Sequence, residues 1–230
     1  MTTQQALHVE NAALVLIDHQ EGIIDWVQSI DNRLLKQNTL VMAKTAKSLG
    51  IPTVLTTSLE EGSNGDLIKG ITDSFVGHSR VQREGIVNAW DDPRFVSEVQ
   101  KTGRKILIMA GVTTDVCLIF PVLSAIAAGY TVYVLADASG SITKMSDDLA
   151  IDRMARAGAV ITSTQTVVAE LTHDWSGDYG QKVVGVLLKD FLPFHLMRLP
   201  LLRRLRMIVD FIFNGKRYEA EFRKKPSERN

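Results

Sequence analysis

The chain repeats one local pattern four times: a stretch with helical composition ends in glycine and runs at once into an apolar, β-rich segment. The pairs are "AKSLG" before "IPTVLTTS", "QKTG" before "RKILIMAGV", "AIAAG" before "YTVYVLADAS" and "ARAG" before "AVITST". Glycine just past a helix adopts the left-handed conformation that ends it without a Cβ penalty, so the pattern predicts helix ends at Gly50, Gly103, Gly129 and Gly158. With "AALVLIDH" as a first strand and a weaker one near "SRVQRE", about six strands alternate with helices. The runs are almost continuously apolar, as required of strands covered by helices on both faces. The prediction is a doubly wound α/β fold with a mainly parallel six-stranded sheet. No linker interrupts residues 10–180, so residues 1–180 read as one domain and 181–230 as an extension.

That extension is basic. From Val183 onward there are eleven Lys or Arg and five Asp or Glu; because the whole chain has zero net charge, this +6 leaves −6 for residues 1–182. "LLRRLRMIVDFIF" has apolar residues near helical spacing, and the expectation is a helix packed on the body or on a second subunit. Contact with an anionic membrane surface is the weaker alternative. No stretch of about 18 apolar residues occurs, and the N-terminus lacks a basic leader, so neither a spanning helix nor a signal peptide is expected. Hydrophobic content of 45% with 23% charge is that of an ordinary globular chain. A single cysteine, Cys117, excludes an internal disulfide framework and a Cys-rich zinc site and points to a reducing, cytoplasmic setting.

In open α/β sheets sites form beyond the carboxyl ends of the strands, where strand order reverses. The first strand ends in Asp18, the third leads to Arg83, and the fourth runs through Gly111 and Val112 to Cys117. If the first and fourth strands are neighbours, Asp18 and Cys117 meet. "TTD" before "VCLIF" reads as a helix start with Thr113 or Thr114 as cap, which would put the thiol in the first turn and lower its pKa from about 8.5. Pro121 cannot donate to the Cys117 carbonyl, so the regular helix is expected to begin only after the thiol. Asp18 is the candidate general base and proton donor; Arg83 would steady both charges but, with a pKa above about 12, cannot shuttle a proton. Each of the three also has an ordinary structural reading: core thiol, helix cap, surface ion pair.

"ALVLIDHQEGI", "PTVLTTS", "REGIVNAWDDPRF", "ILIMAGVTTDVCLIFPVLSAIAAGYTVYVLADASGS" and "DRMARAGAVITSTQTVVAEL" followed by "HDW" after Thr172 resemble the isochorismatase-like cysteine hydrolases, in particular the YcaC-related subgroup. The resemblance spans roughly residues 10–178. It implies a three-layer α/β fold, hydrolysis of small amides or related C–N bonds through a thioester, Asp18 and Cys117 as base and nucleophile, and a cis peptide at Val112–Thr113. The oxyanion would be held by the N–H groups of Thr113 and Cys117. Where most members carry lysine this chain has Arg83. The stretch "SLEEGSNGD" lacks the histidine of metal-binding relatives, so no catalytic metal and no cofactor are expected.

Asn88 and Trp90, in "NAW", and Trp26 are candidate pocket residues, each with core packing as the alternative. His19 is expected to point away from the Asp18 carboxyl. The partners implied are a small-molecule substrate and further copies of the chain in a homo-oligomer. Nucleic acid is not expected, and no G-x-G-x-x-G or P-loop follows the first strand to suggest a nucleotide. Two readings compete with hydrolysis: a catalytically silent ligand-binding or scaffold oligomer, and a redox thiol, the latter lacking a resolving cysteine in its own chain.

Overall fold

The computed structural model describes residues 6–78 and 80–191. Six strands, β1 (Ala12–Ile17), β2 (Thr53–Ser58), β3 (Val81–Arg83), β4 (Ile106–Gly111), β5 (Thr131–Leu135) and β6 (Val160–Thr162), form one sheet in the order β3-β2-β1-β4-β5-β6, and every pairing is parallel. Strand order therefore reverses between β1 and β4, as anticipated, and their register brings Ile17 opposite Gly111. β1 and β4 are buried along their whole length, which explains why both read as unbroken apolar runs.

Helices α1 (Glu21–Ile24), α2 (Asn32–Leu49), α3 (Lys69–Ser74), α4 (Pro93–Lys101), α5 (Ile119–Ala127) and α6 (Lys144–Arg156) fill the connections, and α7 (Thr164–Thr172) and α8 (Asp178–Val186) follow β6. Right-handed crossovers send α2 and α3 to one face, because the chain moves outward from β1 to β3. The path then returns to β4 and continues to β6 in the opposite direction, which sends α4, α5 and α6 to the other. Ala13, Val15 and Ile17 of β1 pack there with Phe95, Val99, Val122 and Met154. Leu14 and Leu16, of opposite parity, face the α2 layer. Burying Phe95 completely contributes about 1.5–3 kcal/mol.

Gly50 caps α2 at φ 71°, and Gly103, Gly129 and Gly158 also have positive φ, so all four predicted helix ends stand. Asp31 begins α2 by accepting from the N–H groups of Arg33 and Leu34. The chain divides into two compact units between Leu171 and Thr172. In the second unit α8 is followed by a π-helical turn, Leu187–Phe191. The amphipathic "LLRRLRMIVDFIF" segment and the basic end lie outside the described residues. No helix among the described residues is long and apolar enough to cross a membrane.

Candidate active site

β1 delivers Asp18 to the carboxyl edge of the sheet in a left-handed conformation, φ 55°. This geometry costs a non-glycine residue on the order of 1–2 kcal/mol, and such costs cluster at functional sites. It is held by an Asp18 N–H bond to Thr56 O of β2 (3.0 Å) and by a Gln20 N–H bond to Asp18 O (2.7 Å). The Asp18 side chain has no exposed surface, and neither has that of Arg83, which arrives from the end of β3. Arg83 Nη2 donates to both Asp18 carboxylate oxygens. Its Nε donates to Thr56 Oγ1 at 3.0 Å, and Nη1 donates to Ile86 O and, at 3.4 Å, to Val87 O. The loop after β3 thus curls around the guanidinium, with Gly85 at φ 101° making the bend.

Cys117 comes from the end of β4. Gly111 leads into a cis peptide between Val112 and Thr113, followed by a π-helical turn, Thr114–Leu118, before α5 begins at Ile119. The regular helix does start after the thiol, as Pro121 requires. The expected side-chain cap is absent: neither threonine caps, and the Thr113 carbonyl does so instead. It accepts from Cys117 N (2.9 Å), Leu118 N (3.1 Å) and Val116 N (3.4 Å). Of the two N–H groups expected to hold an oxyanion, Cys117's is therefore engaged in the resting structure. The Thr113 N–H donates to no acceptor among the described residues. π-Turns of this kind are frequent at functional sites.

Cys117 lies close enough to Asp18 for each to act on the other's ionisation. The three residues singled out from three different strands thus form one contiguous group. Burial raises the Asp18 carboxyl above its ordinary range, opposed by the charge and hydrogen bonds of Arg83 and by the thiol. Cys117 is pushed up to about 12, first by burial and then by the negative charge of Asp18. This corrects the expectation of a lowered thiol pKa. A helix start acts on the sulfur only weakly, whereas a carboxylate in contact acts strongly.

His19 is fully buried and lowered to about 4 by that burial; its Nε2 donates to Ala138 O at 2.9 Å, so the ring is neutral and fastens the β1 and β5 exits together. A residue that sequence reasoning missed is Gln20. Its side chain accepts from Ser58 N (2.8 Å) and donates to Ser58 O (3.0 Å) and Gly65 O (2.5 Å), clamping the β2 exit beside Asp18. Its place two residues after the strand-end carboxylate was the available signal.

Of the pocket candidates, Trp90 falls elsewhere. Trp90 packs edge-on against Tyr130 and Phe95 (centroids 5.6 and 6.0 Å apart). It lines a cleft of about 340 Å³ with Tyr130 and Lys105, which immediately precede β5 and β4. That is the amino edge of the sheet, opposite Cys117. Asn88 caps the short turn carrying Trp90 and donates to Ser124 Oγ (3.1 Å), a structural tie to α5. Trp26 is half exposed in the loop after α1. No group of three or more His, Cys, Asp or Glu side chains among the described residues is disposed to hold a metal ion.

The isochorismatase domain model matches residues 12–166, a span that contains Asp18, Arg83 and Cys117. The chain belongs to the isochorismatase family. Within it, the chain is 42% identical over 172 residues to Escherichia coli "Probable hydrolase YcaC", covering 75% of this chain and 83% of that protein. The E. coli YcaC crystal structure, described as an octameric hydrolase of unknown specificity, superposes with a TM-score of 0.82 and 36% identity over 92% of this chain and all of that one. Pseudomonas aeruginosa YcaC, solved with hexane-2,5-diol and covalent acrylamide, gives 0.81 and 36%, covering 92% of this chain and 99% of that one. A Phytophthora sojae protein, "Secreted isochorismatase effector Isc1", is 30% identical over 79% of this chain and 86% of its own length. The isochorismatase-like fold and the YcaC-related grouping expected from sequence are thereby met.

Proposed function

We propose that this protein is a cysteine hydrolase that cleaves a small amide or related C–N bond through a thioester on Cys117. The observation that carries this reading is the convergence of the thiol on a buried carboxylate, itself paired with Arg83, at the switch point of the sheet. With the thiol pushed up to about 12, the neutral thiol is the dominant form at neutral pH, and attack requires its deprotonation. The proton must pass to Asp18 as Sγ bonds to the carbonyl carbon.

The oxyanion then meets the Thr113 N–H. The Cys117 N–H can turn to it as well, because Val116 and Leu118 continue to satisfy the Thr113 carbonyl that it leaves. Protonated Asp18 returns its proton to the departing amine. Water, deprotonated by the same carboxylate, next cleaves the thioester to release the acid and restore the thiol. Arg83 favours the ionised form of Asp18 against the effect of burial and takes no part in proton transfer. Covalent acrylamide in P. aeruginosa YcaC supports a nucleophile of this kind, since conjugate addition is a thiolate reaction.

Ammonia release across a set of small amides, with Cys117→Ala as control, tests the reading. Turnover lost in the variant supports it. Ligand binding without turnover, unchanged by Cys117→Ser, supports the silent binding or scaffold alternative instead. The octameric E. coli relative supports self-association of this chain too, which solution mass measurement tests.

A further inference from the structure

We propose that the Cys117 site selects uncharged acyl substrates and discriminates against anionic ones, because its one cation has no donor left to offer. A guanidinium carries five N–H donors. In Arg83, Nε serves Thr56 Oγ1, Nη1 serves Ile86 O and Val87 O, and Nη2 serves the two oxygens of Asp18. The Arg83 side chain is also wholly buried, so no substrate oxygen can reach it without breaking an existing contact.

Nothing else described at the site replaces it. His19, on the same strand end, is buried, neutral and bonded to Ala138 O. Arg80, beside β3, is paired with Glu60 and Asp66, and Lys36 with Glu21. The segments following the strand ends instead present large apolar side chains to solvent. Trp26 follows β1, Leu59 β2, Ile86 and Val87 β3, and Val116 precedes the thiol itself, each 39–53% exposed. A carboxylate brought to Sγ would enter beside an Asp18–Arg83 pair whose cation has every donor engaged, and desolvating it there is unfavourable. A neutral, apolar acyl group meets neither cost.

The inference rests on the reading of Cys117 as the nucleophile, and alkylation separates it from turnover. Cys117 is the only cysteine, so modification is unambiguous. Iodoacetamide and iodoacetate are nearly equal in size and differ in charge. With either, the Sγ–C bond forms as the C–I bond breaks, iodide leaves and the thiol proton passes to Asp18. The rate ratio of neutral to anionic reagent is measured on the native protein and on the same chain in denaturant. The native ratio is expected to exceed the denatured one by about tenfold or more, as repulsion at short range in a partly buried site requires. In Asp18→Asn the ratio should fall toward the denatured value. A native ratio equal to or below the denatured ratio overturns the inference, even if amides are hydrolysed. A high ratio with no amide hydrolysed sinks the hydrolase reading and leaves the charge selectivity standing.

Discussion

Arg83 and Asp18 form an ion pair in which one guanidinium nitrogen donates to both carboxylate oxygens, and neither side chain retains any exposed surface. Removing one partner strands the other. Arg83→Ala leaves a buried carboxylate without its cation and frees the Thr56, Ile86 and Val87 acceptors, so a stability loss of about 3–5 kcal/mol is expected in denaturant titration. Arg83→Lys retains the charge but not the fork of donors, and should fall between wild type and alanine. Equal stability of all three would mean that the pair is not buried as described.

His19 gives the fold a pH dependence with a definite sign. Its folded pKa, about 4, lies below the ordinary 6.5, so the unfolded chain binds a proton that the native chain refuses in that interval. Stability is therefore fully present above about pH 6.5 and is lost as pH falls toward 4, by about 3 kcal/mol for this group. His19→Gln, which can still donate to Ala138 O, should flatten the slope in that window relative to wild type. Parallel slopes in the two proteins would exclude His19 as its source.

Gly111 is placed where a Cβ would be crowded. A Cβ there would lie 3.1 Å from Leu118 Cβ and 3.2 Å from Ile17 Cβ, between the end of β1 and the turn that carries the thiol. Gly111→Ala should displace that turn and reduce kcat more than it reduces stability. Misplacing a nucleophile by about 1 Å can cost about 10²-fold, so the smaller shift required here should cost less than that. An unchanged kcat would show that the turn tolerates the shift.

The sheet could be read from sequence because each helix end carries a glycine and each central strand is apolar throughout. Both features are local consequences of burial and chain reversal. The meeting of Asp18, Arg83 and Cys117 was legible through the rule that strand ends converge at the switch point. The π-turn was not, since three N–H groups sharing the Thr113 carbonyl leave no mark in composition. The direction of the thiol's shift was misread because adjacency to a helix start is visible in sequence, whereas burial against Asp18 is a tertiary fact. The direction of Trp90 is likewise a tertiary fact: its backbone follows β3 near the site, but its ring packs under Tyr130 toward the opposite edge. The short turn that directs it there is set by the Asn88 cap.

The most direct test of Asp18 and Cys117 as base and nucleophile is thiolate absorbance against pH, measured on the sole cysteine alongside amide turnover, in wild type and Asp18→Asn. Neutralising Asp18 removes the charge that raises the thiol and leaves Arg83 to favour the thiolate. Wild type should show no thiolate up to about pH 9, while the folded variant ionises at lower pH yet loses about 10²–10⁴-fold in turnover for want of a base. A thiol that titrates identically in both proteins, or a variant that retains full turnover, would contradict the pairing.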